Sequence, residues 1–234
     1  MMMIEQNAAS KFLNSLKIKL KSTNRHLIVY LLAIIASGFL VLTLFVLIDP
    51  ISIMDREFSE EIQEHHNHLL DMAMKSVSWF GYMPNAVILV MGTALLLLFT
   101  KYKREAVFTI LTLLSAILTS VVKLLVDRPR PMPALVRIIE KTRQQSFPSG
   151  HVVFYIVFFG FLLLLMLRLT KLHKALRLLV SSCCMLLILT VPISRIYLGA
   201  HWFTDVLGGL FLGLLCLFIL SYYYLKGAGT PNSK

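Results

Sequence analysis

Long apolar runs separated by short polar segments dominate the pattern of this chain. The runs occupy residues 26–48, 84–100, 106–126, 151–169, 175–193 and 203–225. Each is long enough to cross a bilayer as a helix, which takes about 17–25 apolar residues. The first run is too long for the core of a signal peptide, so we expect it to be retained. The pattern therefore predicts an all-α polytopic membrane protein with six transmembrane helices.

Basic residues between the runs predict the orientation of these helices. The segment 1–25, the second-to-third loop, the fourth-to-fifth loop with its flanking Arg168 and Arg177, and the tail 226–234 together carry 14 of the 23 lysines and arginines. Short cytoplasmic loops are enriched in Lys and Arg, so we expect these four segments on the cytoplasmic side. Residues 26–225 then form one six-span domain between two cytoplasmic tails.

The first exterior loop, residues 49–83, has the pattern of an amphipathic helix. Over 52–70, acidic residues alternate with apolar ones at roughly helical spacing, which predicts a helix at the membrane surface or over the bundle. The loop also contains His65, His66 and His68. These histidines do not share one helix face, and no cysteine is near, so we interpret them as solvated rather than metal-binding.

The composition excludes other classes of protein. Hydrophobic residues make up 57% of the 234 positions and charged residues only 15%. A soluble domain has about 25% charged residues, and intrinsic disorder requires low hydrophobicity, so neither class fits. Cys183, Cys184 and Cys216 lie within apolar runs, as small core residues do, which excludes a disulfide scaffold.

One exterior loop is basic, against the general bias. Residues 127–150 contain Arg128, Arg130, Arg137, Lys141 and Arg143, in a chain of net charge +11. Two interpretations remain open. In the first, the loop is solvated, and the stronger bias of the other segments determines the orientation. In the second, the positive charge of the loop binds an anion on the outer face.

Three clusters of polar residues lie where apolar runs begin or end. They are Lys123, Arg130 and Pro131 around the end of the third run, Pro148, Ser149, Gly150 and His151 at the start of the fourth, and Ser194, Arg195, His201 and Asp205 from the end of the fifth to the start of the sixth. Each has an ordinary structural explanation when taken alone, such as a snorkelling lysine or a serine helix cap. Their concentration on the exterior face indicates a functional site, because ionisable groups near a bilayer are costly.

These residue types suit the binding of a phosphate group. Lys123, Arg130 and Arg195 supply three positive charges, and each guanidinium can hold two phosphoryl oxygens. Ser149 and Gly150 place a hydroxyl and free backbone N–H groups at a helix N-terminus, where anions bind readily.

Two histidines suit catalysis of phosphate transfer. His201 and Asp205 are four residues apart, so the carboxylate can fix one ring nitrogen and leave the other as a neutral nucleophile. His151 is then free to protonate the leaving oxygen. No second carboxylate cluster is in reach, so the sequence implies neither a metal ion nor another cofactor.

The three clusters resemble the three-part signature of the type 2 phosphatidic acid phosphatase (PAP2) superfamily. The matching segments are Lys123-x6-Arg130-Pro131, Pro148-Ser149-Gly150-His151 and Ser194-Arg195-x5-His201-x3-Asp205. The resemblance implies a PAP2-like helical core and a metal-independent phosphatase. It implies a phosphohistidine on His201 supported by Asp205, with His151 as general acid. It also implies phosphate binding by Lys123, Arg130, Ser149, Gly150 and Arg195.

The resemblance further implies a lipid phosphate as substrate, because the membrane members of the superfamily act on such lipids. Phosphatidic acid, phosphatidylglycerol phosphate and undecaprenyl diphosphate all remain open as substrates. The small size and short loops are similar to those of bacterial members. We therefore expect a protein of the bacterial inner membrane with its active site on the exterior face, and no nucleic-acid partner.

Three alternatives remain beside this interpretation. A lipid phosphotransferase on the same scaffold would pass the phosphoryl group to another lipid. A vanadate-dependent haloperoxidase shares the phosphate pocket, but those enzymes are soluble, and six spans argue against it. A non-catalytic lipid-binding or transport protein would need only the cations, so the set of His201, Asp205 and His151 argues against that function.

Overall fold

The computed structural model of the protein describes residues 26–142 and 144–226, which form helices joined by connections that are short except for the loop 127–149. In chain order the helices are α1 (His26–Ile48), α2 (Ile53–Gln63), α3 (His68–Ser78), α4 (Met83–Phe99), α5 (Lys103–Leu111), α6 (Leu114–Val126), α7 (Gly150–Phe154), α8 (Gly160–Arg168), α9 (Lys174–Tyr197) and α10 (Phe203–Lys226). A 3-10 turn, Trp79–Gly81, precedes α4, and a π-helical turn, Tyr155–Phe159, joins α7 to α8. The all-α prediction is confirmed. The predicted tail 1–25, residues 227–234 and Arg143 lie outside the described residues.

The described helices account for the predicted spans. Five stretches are long and apolar enough to cross a membrane: His26–Ile48, Lys103–Val126, Gly150–Arg168, Lys174–Tyr197 and Phe203–Lys226. A bent pair, His68–Gly81 with Met83–Phe99, also passes when its two parts are taken together, with an angle of 59° between them. Counting that pair as one span gives six, in agreement with the prediction from the apolar runs.

The span Gly150–Arg168 lies at the centre of the bundle. Within its apolar window 61% of the residues are buried, against 6% for His26–Ile48, which leaves α1 at the lipid-facing edge. Small residues on α10 allow α7 to approach closely. A Cβ at Gly209 would lie 2.8 Å from the carbonyl oxygen of Ser149, so glycine is needed there. This contact fixes the start of α7, where the second polar cluster lies.

The segment 52–70 differs from the single helix that the sequence predicts. It forms parts of two helices, because two side chains cap separate helix starts. Ser52 Oγ accepts a hydrogen bond from the backbone N–H of Asp55 at 3.1 Å, and Asn67 Oδ1 accepts one from Leu70 at 2.8 Å. Each bond satisfies a backbone donor that has no partner within its own helix.

Helix α2 is amphipathic as predicted, and it is the polar face that packs against the protein. Ser52, Asp55, Ser59 and Gln63 are buried, at spacings of three or four residues, whereas Ile53 is 64% and Phe58 43% exposed. Such a helix fits the interface of a bilayer, with its apolar side toward lipid and its polar side bonded to the loops beneath it.

Candidate active site

The three polar clusters of the sequence converge on one cavity of about 280 Å³. Its polar wall includes six residues of the predicted site: Lys123, Arg130, Gly150, His151, Arg195 and His201. Ser149 and Asp205 are fully buried next to this wall, and the backbone N–H of Ser149 donates to the carbonyl oxygen of Asp205 at 2.9 Å. Residues from four separate helices and a loop therefore meet within one site, as the sequence predicts.

The same cavity also has an apolar lining. It is formed by side chains of α4, of α7 and of the region where α5 meets α6: Met83, Ala86, Leu113, Ala116, Val153 and Phe154. A ligand in the cavity would thus contact both positive charge and hydrocarbon. This combination suits a molecule with an anionic head and an apolar tail.

His201 lies between Asp205 and Arg130. Its Nδ1 is 3.4 Å from Asp205 Oδ2, close but without the alignment of a hydrogen bond among the described residues. Its Nε2 is 3.3 Å from Arg130 Nη1 on the cavity side. A small rotation of the imidazole would align Nδ1–H with Asp205 and leave the Nε2 lone pair directed into the cavity, which is the orientation that a nucleophile needs.

The surroundings of His201 favour its neutral form. Burial, together with the cations Arg130, Lys123 and Arg195, holds the pKa of His201 well below the ordinary histidine value. Burial also lowers the pKa of Arg130, to about 10, so that Arg130 remains a cation at neutral pH. The site therefore presents an unprotonated imidazole beside fixed positive charge.

Arg195 is held by a carboxylate that the sequence analysis did not single out. Its Nη1 and Nη2 donate to the two carboxylate oxygens of Glu140, each at 2.9 Å, and Nη1 also donates to Ser78 Oγ at 2.9 Å. Tyr82 donates its hydroxyl to Glu140 at 2.7 Å. Burial raises the pKa of Glu140, but the hydrogen bonds and charge of Arg195 outweigh it, so this pKa is lowered and the carboxylate is ionised.

Lys123 points into the same region from the last turn of α6. Its Nζ donates to the carbonyl oxygens of Gln145 at 2.5 Å and Ser146 at 3.2 Å. These bonds tie α6 to the loop just ahead of Pro148. The third donor position of the ammonium group is left for a ligand in the cavity.

Four buried polar atoms at the site have no hydrogen-bond partner within residues 26–142 and 144–226. They are Ser149 Oγ, His151 Nε2, Arg195 Nε and His201 Nδ1. Buried polar atoms of folded proteins nearly always have partners, so each exception requires an explanation. All four belong to the predicted site. Ser149 stands at the N-cap position of α7 without using its hydroxyl as a cap, which agrees with a role in binding an anion.

His151 packs against the turn before α4. A Cβ at Gly81 would lie 2.2 Å from His151 Cδ2, so only glycine leaves room for this imidazole. The ring of Tyr82 meets the His151 ring edge-on, with centroids 5.2 Å apart. The imidazole is thus fixed by packing while its Nε2 stays unbonded.

Most described basic residues of the loop 127–150 do not line the cavity. Arg128 is fully buried and pairs with Asp55 at 2.6 Å and Asp205 at 2.5 Å. Arg137 pairs with Asp71 at 2.8 Å near the surface. Of the loop's described basic residues, Arg130 alone lines the cavity. Two basic residues of the loop 127–150 therefore pair with acids of the first loop, 49–82, whereas Arg130 agrees with the second interpretation, in which the charge binds an anion.

The family that this sequence matches is consistent with this geometry. The model of the PAP2 superfamily matches residues 104–227, more than half of the chain and all three polar clusters. The chain belongs to the PAP2 superfamily. Phosphatidylglycerophosphatase B of Bacillus subtilis (strain 168) is 43% identical over 79 residues, which is 32% of this chain and 37% of that protein. The chain thus matches little more than a third of the length of this PAP2 relative.

Solved structures show the same PAP2 fold. The transmembrane PAP2 type phosphatidylglycerolphosphate phosphatase from Bacillus subtilis superposes with a TM-score of 0.72 at 22% identity, covering 86% of this chain and 98% of that one. LpxE of Aquifex aeolicus gives a TM-score of 0.56 at 20% identity, covering 71% and 94%. The chain therefore has the transmembrane PAP2 fold and is an integral membrane protein with several spans.

Proposed function

We propose that the protein is an integral-membrane phosphatase that hydrolyses a lipid phosphate through a phosphohistidine. The single observation that carries the proposal is the cavity itself, whose lining combines three cations and two histidines with apolar side chains. A lipid phosphate matches both walls, because its head is a dianion and its chains are hydrocarbon. A cavity for binding alone would need the cations and the apolar wall, but not a neutral imidazole beside them.

The first step is attack by His201. Its Nε2 lone pair forms a bond to phosphorus while the ester bond to the lipid oxygen breaks. His151 gives the proton that the leaving oxygen requires. Lys123, Arg130 and Arg195 stabilise the charge on the phosphoryl oxygens during this transfer, the role that metal ions have in other phosphatases.

The second step returns the enzyme to its starting state. Neutral His151 accepts a proton from water, and the water oxygen attacks phosphorus. The bond between phosphorus and His201 Nε2 then breaks, and inorganic phosphate leaves. Asp205 stabilises the positive imidazole ring of the phosphorylated His201, because its carboxylate lies 3.4 Å from Nδ1.

Phosphatidylglycerol phosphate is the first substrate to test, because the curated relative is named for its action on that lipid. Phosphatidic acid and undecaprenyl diphosphate fit the same two walls. We also propose that the cavity opens on the exterior face, as the distribution of Lys and Arg indicates.

The test is release of inorganic phosphate by the purified protein in detergent. The panel contains phosphatidylglycerol phosphate, phosphatidic acid and undecaprenyl diphosphate, each with and without EDTA. We expect turnover of at least one lipid, unaffected by EDTA, and inhibition by vanadate. Absence of phosphate release from all three lipids would contradict the proposal. A strict requirement for a divalent metal would contradict its mechanism.

A further inference from the structure

A fully buried network behind the cavity links Asp205 to helix α2. Arg128 Nη1 donates to Asp205 Oδ1 at 2.5 Å, and Arg128 Nη2 donates to Asp55 Oδ2 at 2.6 Å. The side chains of these three residues have no exposed surface. One guanidinium thus bridges a carboxylate of the proposed catalytic machinery and a carboxylate of the exterior helix.

The remaining bonds hold both carboxylates in place. Asp55 also accepts from the backbone N–H of Thr204 at 2.9 Å and from the Ser52 hydroxyl at 2.9 Å. The backbone N–H of Trp202 donates to Asp205 Oδ2 at 2.8 Å, and the Ser146 hydroxyl donates to the same oxygen. Every oxygen of the two carboxylates is therefore bonded within the protein, so the network itself is closed to a ligand.

The charges of this network do not cancel. Two carboxylates and one guanidinium leave one net negative charge beside His201. The ionisable groups that face His201 from the other elements are Lys123 of α6, Arg130 of the loop, His151 of α7 and Arg195 of α9. All of these are cationic or neutral. The ionised Glu140 is engaged by two nitrogens of Arg195. Without Asp55, the positive charge of Arg128 would cancel the negative charge of Asp205, and the network would no longer offset a positive imidazole.

We propose that Asp55 and Arg128 are positioning residues, which hold the Asp205 carboxylate and keep one net negative charge beside His201. The proposal rests on the proposed phosphatase function, because the positive imidazole forms when His201 is phosphorylated. Neither residue touches the cavity, so both act through Asp205. Helix α2 is thereby part of the catalytic apparatus, although it belongs to no signature segment.

The test compares three variants that differ in the charge of the network. Asp55→Asn leaves no net charge, Arg128→Gln leaves two negative charges, and the double variant Asp55→Asn/Arg128→Gln restores one. The readout is the acid limb of kcat/KM against pH, measured on the same lipid phosphate. The position of this limb does not depend on the fraction of active protein. Asp71→Asn is the matched control, because Asp71 is an exterior acid that pairs with an arginine outside the site.

We expect the acid limb to move down by roughly one pH unit in Asp55→Asn and up by roughly one unit in Arg128→Gln. This is the size expected for a unit charge several ångströms away at an effective dielectric constant of about 20. The acid limb of the double variant should return to the wild-type pH, and the acid limb of Asp71→Asn should stay at the wild-type pH. The single variants should also lose roughly tenfold or more in kcat.

Other outcomes separate the two proposals. If the wild-type protein releases no phosphate from any lipid, the proposed function fails. If the wild-type protein is active and the limb stays unchanged in both single variants, the residues are structural only and this inference is overturned. Should a single variant yield no folded protein, Arg128→Lys is measured instead. Lysine keeps the positive charge but cannot bond both carboxylates as the guanidinium does. Arg128→Lys should therefore keep the acid limb at the wild-type pH with a lower kcat, and a shifted acid limb would overturn the inference.

Discussion

At the scale of single residues, the site is defined by what each polar atom is bonded to. Lys123, Arg195 and Asp205 are held by protein partners, whereas His151 Nε2 and Ser149 Oγ have none within the described residues. The bonded groups are thus fixed before a ligand arrives, and the unbonded ones are free to contact it. Such preorganisation is the main source of electrostatic stabilisation in enzymes.

His201→Ala removes the proposed nucleophile and should lower kcat by roughly a thousandfold or more. The cations that bind the phosphate remain, so binding of vanadate should be largely retained. Phosphate release measures the loss, with His65→Ala as the control because the His65 side chain is 90% exposed. Activity within about tenfold of wild type corresponds to only about 1.4 kcal/mol of barrier, and it would exclude His201 as the nucleophile.

Glu140→Gln should tighten the binding of inorganic phosphate or vanadate by roughly tenfold. In the wild-type protein the ionised Glu140 engages two nitrogens of Arg195 and repels an anion in the cavity. Removing one nearby negative charge is worth about one pKa unit, or about 1.4 kcal/mol. Inhibition constants measure the effect, and Glu64→Gln, an exposed exterior acid, serves as control. Weaker binding in Glu140→Gln would show that this carboxylate orients Arg195 rather than competing with the ligand.

The low pKa of His201 predicts the acid limb of catalysis. The group is neutral above its pKa and active only in that form, so activity should persist below the ordinary histidine value of about 6.5 and fall only at lower pH. The measurement is kcat/KM against pH, corrected for ionisation of the substrate phosphate. An acid limb above about 6.5 would mean that the cavity does not depress this pKa in the free enzyme.

The sequence predicts the site residues that stand out from their neighbours and misses those that resemble them. A lysine, two arginines and two histidines at the ends of apolar runs are distinctive, and the structure brings them together. Asp55 and Glu140 lie in loops rich in ordinary charged residues, so nothing in their local pattern separates them from solvated acids. Only long-range contacts with Arg128 and Arg195 give them a role.

At the scale of secondary structure, α2 connects the loops that form the site. Gln63 Nε2 donates to the carbonyl oxygens of Arg137 at 2.9 Å and Tyr197 at 3.0 Å, and its Oε1 accepts from the backbone N–H of Arg137 at 2.9 Å. One amide side chain thus joins α2, the loop 127–149 and the end of α9. The short connection from α9 to His201 begins at this point.

Gln63→Ala should destabilise the protein by about 2 kcal/mol or more. It leaves buried backbone groups without partners, at a cost of roughly 1–3 kcal/mol each. Thermal unfolding in detergent measures the change, and Glu60→Ala on the exposed side of the same helix is the matched control. Equal unfolding midpoints for the two variants would show that the Gln63 contacts do not stabilise the fold.

The amphipathic pattern of α2 predicts a helix but does not predict which face of that helix is buried. Its period predicts a helix, which the structure contains, but a period alone does not decide which face is buried. In water the apolar face would turn inward, whereas at a bilayer that face can remain outside. The buried side is decided by Asp55 and Gln63, whose partners lie far away in the sequence.

At the scale of the whole molecule, the sidedness of the bundle decides which lipids the site can reach. Single cysteines at Met132 and Lys174, both exposed, test it on a background without Cys183, Cys184 and Cys216. An impermeant thiol reagent should label position 132 in intact cells and position 174 only after permeabilisation. The reverse pattern would place the cavity on the cytoplasmic side and contradict the prediction from charge.

The reversed packing of α2 ties the chemistry to the physical state of the bilayer. One side of this helix exposes Ile53 and carries Phe58, which stacks on Phe203, and the other side carries Asp55, which is bonded to the network behind the cavity. At a bilayer surface, lateral pressure and hydrocarbon thickness would act on the exposed side of α2, and a displacement of this helix would move Arg128 and Asp205. We therefore expect turnover by the proposed phosphatase to respond to membrane tension and acyl-chain length even when the reacting lipid stays the same.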